Sequence, residues 1–110
     1  MSWNIVYTAR ARRDLRDIYE YIAYELLVPE TAVGQTQRIM KEIRALDEMP
    51  MRFGLYEEEP WHSQGLRFFL VDNYLVFYLP NETKNTVSIV RIMYGGRDIR
   101  RQLSETEMEY

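Results

Sequence analysis

The segment Tyr74-Leu75-Val76-Phe77-Tyr78-Leu79 is apolar or aromatic at every position. An alternating strand leaves one face to water, whereas a continuous apolar run needs cover on both faces. Six residues suit a strand and are too few for a stable helix. A two-residue turn, Asp72-Asn73, joins this run to a partner strand over Leu66–Val71. The turn formers of 80–85 lead to a third strand, Thr86–Met93. The chain must therefore build a meander with a central strand, and it needs apolar mass from elsewhere to cover that strand.

That mass precedes it. Trp3–Thr8 reads as a short first strand, and Thr8 suits a helix cap. Leu15, Ile18, Tyr19, Ile22, Ala23 and Leu26 then recur at helical spacing, with Arg12, Arg13, Arg16, Asp17 and Glu20 on the other face. Pro29 stops this helix and suits the first turn of a second, which runs to about Glu48. Ala32, Ile39, Ile43 and Leu46 face the core, and Gly34 costs about 1 kcal/mol relative to Ala. Two helices with almost no connection form an antiparallel hairpin. Residues 49–65 read as a loop, Gly95-Gly96 ends the last strand, and Arg97–Leu103 reads as one or two final helical turns. The expected order is β-α-α-β-β-β-α. It describes a two-layer α+β fold, with the hairpin on one face of an antiparallel sheet and the other face partly open. Residues 1–103 read as one domain and 104–110 as an acidic, flexible tail.

Composition narrows the chemistry. The chain has no cysteine, so a disulfide framework and a thiolate zinc site are excluded; its single histidine argues against a metal centre. No apolar run approaches the ~18 residues of a membrane helix, and the N-terminus lacks the pattern of a signal peptide. The expectation is a cytoplasmic protein without metal or cofactor. Net charge is −3, but residues 66–103 set Arg67, Lys84, Arg91, Arg97, Arg100 and Arg101 against only Asp72, Glu82 and Asp98. Local sign governs an encounter with an anion more than the sum does.

Arg91 is the sharpest candidate, a charge inside Ile-Val-Arg-Ile-Met. Such a residue needs water, an acid or a ligand. Either it pairs with a carboxylate or its planar fork binds phosphate. Alternation places Val87, Ile89, Arg91 and Met93 on one face, and Tyr94 with Val90 and Ile92 on the other. Arg67 lies in the first meander strand. Tyr94 is either a packing residue or an acid, base or stacking platform at the strand end. Gly95-Gly96 supplies turn geometry or a phosphate cradle. His62 beside Trp61 is a surface residue or a base near neutral pH. Glu57–Glu59 is a solvated run or a source of a carboxylate base.

Three stretches together resemble the RelE/ParE toxin superfamily of bacterial type II toxin–antitoxin modules. They are Tyr7-Thr8-Ala9 with Asp14-Leu15-Arg16-Asp17-Ile18, Leu66-Arg67 with Tyr74–Tyr78, and Val90-Arg91-Ile92 with Tyr94-Gly95-Gly96-Arg97-Asp98. The resemblance implies a two-helix hairpin against an antiparallel sheet and a toxin neutralised by a cognate antitoxin. Its RelE-like branch implies metal-independent endoribonuclease cleavage of mRNA on the ribosome. Arg67, Arg91, Tyr94 and His62 are then the catalytic candidates, and Arg97, Arg100 and Trp61 the substrate-binding ones. Its ParE-like branch implies inhibition of DNA gyrase by protein binding, and a third possibility is an inactive relative that only binds antitoxin. Only Lys41 and Lys84 are present, where some RelE nucleases are lysine-rich, and the Tyr-Gly-Gly-Arg-Asp ending looks ParE-like.

Overall fold

The computed structural model describes residues 2–96 and 98–106. Strand β1 (Asn4–Tyr7) leads through Thr8 into helix α1 (Ala9–Glu20), which continues as a π-helical turn, Tyr21–Glu25. Helix α2 (Pro29–Arg44) follows, then a one-turn helix α3 (Trp61–Gln64), strands β2 (Arg67–Val71), β3 (Tyr74–Asn81) and β4 (Thr86–Tyr94), and helix α4 (Ile99–Ser104). The sheet order is β1-β4-β3-β2. β3 is thus flanked on both sides, as its unbroken apolar run requires. The meander pairs are antiparallel, while β1 joins β4 in parallel, so the sheet is mixed.

The α1–α2 hairpin covers one face. Ala11, Ile39, Ile43 and Leu46 pack there against Val76, Ile89 and other strand residues. The Thr8 hydroxyl accepts from the Ala11 N–H, and Pro29 occupies the first turn of α2. The opposite face is not the open surface expected from the sequence. Trp61, Leu66, Phe77, Val90, Met93 and Leu103 form a second buried cluster there, with Tyr56 and Ile99 against it. The 49–65 segment and α4 provide this cover, because α3 and α4 each turn one large apolar residue inward.

Two insertions break the sequence periods. In β4, Tyr78 pairs with Ile89 and Phe77 with Arg91, so Val90 is an extra residue, a bulge. Val87 and Ile89 therefore face the hairpin, Val90 and Met93 the second cluster, and Ile92 the hairpin again. The strict alternation expected over 87–94 fails for this reason. After Glu20 the helix widens, and the Leu26 N–H bonds the Tyr21 carbonyl at 3.0 Å. One more residue per turn rotates the end of the helix, so Leu26, expected in the core, is exposed.

The charges on the first helix oppose its own dipole. No acid lies in its first turn and no base in its last; Arg10 and Arg12 sit at the start, Glu20 and Glu25 at the end. Each end charge of the wrong sign costs about 0.3–1 kcal/mol. The arrangement opposes the dipole, although Arg10 also lies 3.6 Å from Asp14 one turn on.

Tyr78 has no exposed surface, and its hydroxyl donates to the Pro50 carbonyl at 2.6 Å. Burial, opposed by Arg67 and Arg52, pushes its phenol up to about 12. A tyrosine in the unfolded chain ionises near 10. Its contribution to stability is therefore whole below pH 10 and is lost as pH climbs towards 12. Tyr78→Phe is expected to cost about 1 kcal/mol at pH 7 and to make the alkaline loss of stability shallower. Urea unfolding of both proteins at pH 7 and through that alkaline range checks this; parallel alkaline profiles refute it.

Candidate functional site

Strand lengths decide what happens at Arg91. β1 pairs with β4 only as far as Ile89, while β4 runs on to Tyr94. Beyond β1 the outer edge of β4 has no strand partner, and its polar groups must be met otherwise. Thr8 takes the first: its N–H bonds the Ile89 carbonyl at 3.1 Å, and its hydroxyl lies 2.8 Å from the same oxygen. Asp14 takes the next. From the middle of α1 its Oδ2 accepts the Ile92 N–H at 2.9 Å.

The same carboxylate holds Arg91. Arg91 Nε donates to Oδ2 at 2.7 Å and Nη2 to Oδ1 at 3.0 Å, a two-pronged pair with both side chains about 5% exposed. Nη1 donates to the Gln102 carbonyl at 3.3 Å and to Thr106 Oγ1 at 3.0 Å, and Nη2 also to Gln102 Oε1 at 3.3 Å. All five N–H groups of the guanidinium are engaged. Of the two readings open for Arg91, the structure has the paired one.

The other candidates are dispersed. Arg67 donates from Nη1 to the carbonyls of Met51 and Phe53. Tyr94 lies at the far end of β4, 49% exposed, with its ring edge-on to Tyr74 at 5.8 Å. Trp61 is buried in the second cluster. His62 is exposed with Nδ1 3.7 Å from Glu59 Oε2, and Arg100 pairs with Glu58 at 3.0 Å. Hydrogen bonds from Ser63 hold the Glu59 carboxyl below its usual range, which weakens it as a base. Arg97 lies outside the described residues. Gly95 and Gly96 serve close packing: a Cβ on Gly96 would lie 2.9 Å from the Tyr94 ring, and one on Gly95 3.2 Å from the Asn73 carbonyl. Arg91 and Tyr94 line one groove and Trp61 and Arg100 a second hollow, but Arg67 and His62 line neither, so no common centre joins Arg67, Arg91, Tyr94 and His62.

One concave feature does stand beside Arg91. A groove of about 780 Å³ runs between the hairpin and the free end of β4. Ile18, Ile22, Tyr74, Ile92 and Tyr94 line it, and Arg10 and Asp17 also contribute to its wall. Burial is the first cause raising the Tyr74 phenol, with Tyr94 and Tyr21 adding to it. Sequence reasoning missed this site, because it pairs a helix with residues about 70 positions later.

The hairpin, the mixed sheet and the groove at its open edge define the class, a RelE/ParE-like α+β domain. A family model described as "ParE toxin of type II toxin-antitoxin system, parDE" matches residues 5–99, and the chain belongs to that family. Among solved structures, the chain resembles the chromosomal ParDE system of P. aeruginosa at 21% identity and a TM-score of 0.69, covering 84% of this chain and 96% of that one. A similar fold occurs in the toxin–antitoxin complex RelBE2 of Mycobacterium tuberculosis, at 20% identity and a TM-score of 0.60, covering 86% and 99%. A mutant of the E. coli toxin RelE in the free state has a TM-score of 0.66 at 13% identity, covering 96% and 95%. No curated protein matches.

Removing one partner of a buried ion pair strands the other, at about 3–5 kcal/mol. Asp14→Ala is expected to fall in that range, since it also frees the Ile92 N–H and the Arg91 fork. Arg16→Ala, exposed on the same helix, is expected to cost under about 0.5 kcal/mol. Denaturant unfolding of the two variants checks the contrast; comparable losses refute it.

Proposed function

We propose that this toxin acts by binding a protein target, DNA gyrase, rather than by cutting mRNA, and that a cognate antitoxin neutralises it from the groove. The observation that carries this reading is the engagement of all five Arg91 donors by groups of the same chain. Cleavage of RNA by its own 2′-hydroxyl requires a base, cationic support for the phosphorane and an acid for the leaving oxygen. Arg91 has no donor left for a phosphate, Arg67 is bonded to main-chain carbonyls, and Tyr94 and His62 stand on separate elements. The match to the ParE family favours the same branch.

The groove supports the antitoxin half of the reading. Its lining is more apolar than polar, and Tyr21, Leu26 and Val28 leave large apolar areas exposed. A segment from another chain that brings apolar side chains there would bury them. The M. tuberculosis relative was solved as a toxin–antitoxin complex.

Expression of this chain alone in a bacterial host, with separate pulse-labelling of DNA and protein synthesis, tests the target. DNA synthesis is expected to fall first, and the purified chain to inhibit gyrase supercoiling of a relaxed plasmid. Tyr94→Phe and His62→Ala are expected to arrest growth within about twofold of the parent. An early fall in protein synthesis with cut mRNA, relieved by those two changes, overturns the proposal.

A further inference from the structure

The connection between the two helices is unusually exposed for apolar chain. Tyr24 is 66% exposed and Leu27 77%, and neither lines the groove. Leu26 and Val28 beside them are exposed too but line the groove, so Tyr24 and Leu27 alone make an apolar knob at the end of the hairpin, bordering it. Isolated exposed leucines need no explanation, but a cluster on one tight turn does. The backbone adds to the case. Leu27 adopts a φ of 59°, a left-handed conformation that suits Gly or Asn far better. The preceding turn is π-helical, a form frequent at functional sites. Neither the second apolar cluster nor the groove accounts for the choice of Leu at this position.

The charges around the knob have one sign. Glu20, Glu25 and Glu30 are exposed, and none has an ion-pair partner among the described residues. Glu30 suits the start of α2, but Glu20 and Glu25 oppose the dipole of the helix that carries them. Their placement works against the local fold, and it would favour an approaching cationic surface.

The geometry points to the hairpin knob of Tyr24 and Leu27 as the target-docking surface, fitting an apolar pocket rimmed by Lys or Arg on a protein partner and bordering the antitoxin groove without lining it. This rests on the reading that the target is a protein. Exposed side chains at the tip of a hairpin insert into a partner's pocket, whereas a groove receives an inserted segment, so the two surfaces suit different partners. An acidic rim steers a basic protein surface and disfavours nucleic acid.

Leu27→Asn and Tyr24→Lys test it, with Glu25→Lys as a charge reversal. Asn is at ease at positive φ, so Leu27→Asn is not expected to lower Tm, which separates loss of function from loss of fold. All three variants are expected to lose growth arrest and gyrase inhibition by at least about tenfold, while binding the cognate antitoxin within about twofold of the parent. Unchanged growth arrest overturns the proposal. So does loss of antitoxin binding together with arrest, because the knob would then belong to the neutralised surface. If the parent arrests growth but leaves gyrase untouched, the gyrase reading fails, and the knob is still judged by the arrest readout. If the parent arrests nothing, both fall.

Discussion

The carboxylate of Asp14 is the joint of this molecule. It sits in the middle of α1 and accepts both the Ile92 N–H and the Arg91 fork, 77 and 78 positions away in sequence. The need for it follows from an inequality of length. β1 has four residues and β4 nine, so the outer half of β4 would otherwise expose an unpaired edge. An acid on the covering helix meets that edge, and a buried acid requires a cation. Arg91 is that cation, and its remaining donors reach Gln102 and Thr106. One charge pair therefore fixes α1, β4 and the end of α4 relative to one another.

Closing Arg91 has consequences for chemistry. A guanidinium with every donor engaged is rigid and electrostatically spent, whereas phosphate recognition needs at least one prong free. The second apolar cluster acts in the same direction, since α3 and α4 cover the sheet face that an open site would occupy. The margin of the sheet and the end of the hairpin remain accessible, as does the outer face of α1 with Arg12, Arg13 and Arg16. Along that margin and hairpin end, Tyr21, Tyr24, Leu26, Leu27, Val28 and Tyr94 are exposed, beside Arg10, Asp17 and Glu25.

The fold was largely legible in the chain, and the site was not. The Tyr74–Leu79 run sits at the centre of the sheet, Thr8 caps α1 and Pro29 opens α2, each through a local rule that acts over a few residues. The errors have equally local causes. A single extra residue at Val90 reverses the faces of β4, and a single wide turn after Glu20 moves Leu26 into solvent. Neither insertion leaves a mark in hydropathy. The cover over the second face came from Trp61 and Leu103, isolated apolar residues in polar segments where no period exists to detect. A signal for the Arg91 pair did exist. Asp14 lies between Ala11 and Ile18 on the inward side of the helix, an acid as misplaced in its apolar stripe as Arg91 is in its strand. Two mismatched opposite charges in one small core predict each other.

The locations of the groove and of the hairpin knob follow from the same joint. Asp14 ties the middle of α1 to β4, and the part of the hairpin beyond it lies along the free end of that strand. One side of it walls the groove against Ile92 and Tyr94, and its end carries Leu27 in a backbone conformation its side chain disfavours. A chain under selection for stability alone would place Gly or Asn there, a base at the end of the helix and polar residues in the turn. All three choices run the other way within residues 20–28, while α2 has Pro and Glu in its first turn and Lys and Arg in its last. The contrast between neighbouring helices of one hairpin shows that helix-stabilising placement was within reach of this sequence. The departures that expose apolar side chains fall within residues 20–28, where Ile22 and Ala23 are buried but Tyr21, Tyr24, Leu26, Leu27 and Val28 are exposed, a placement that suits contact with another molecule.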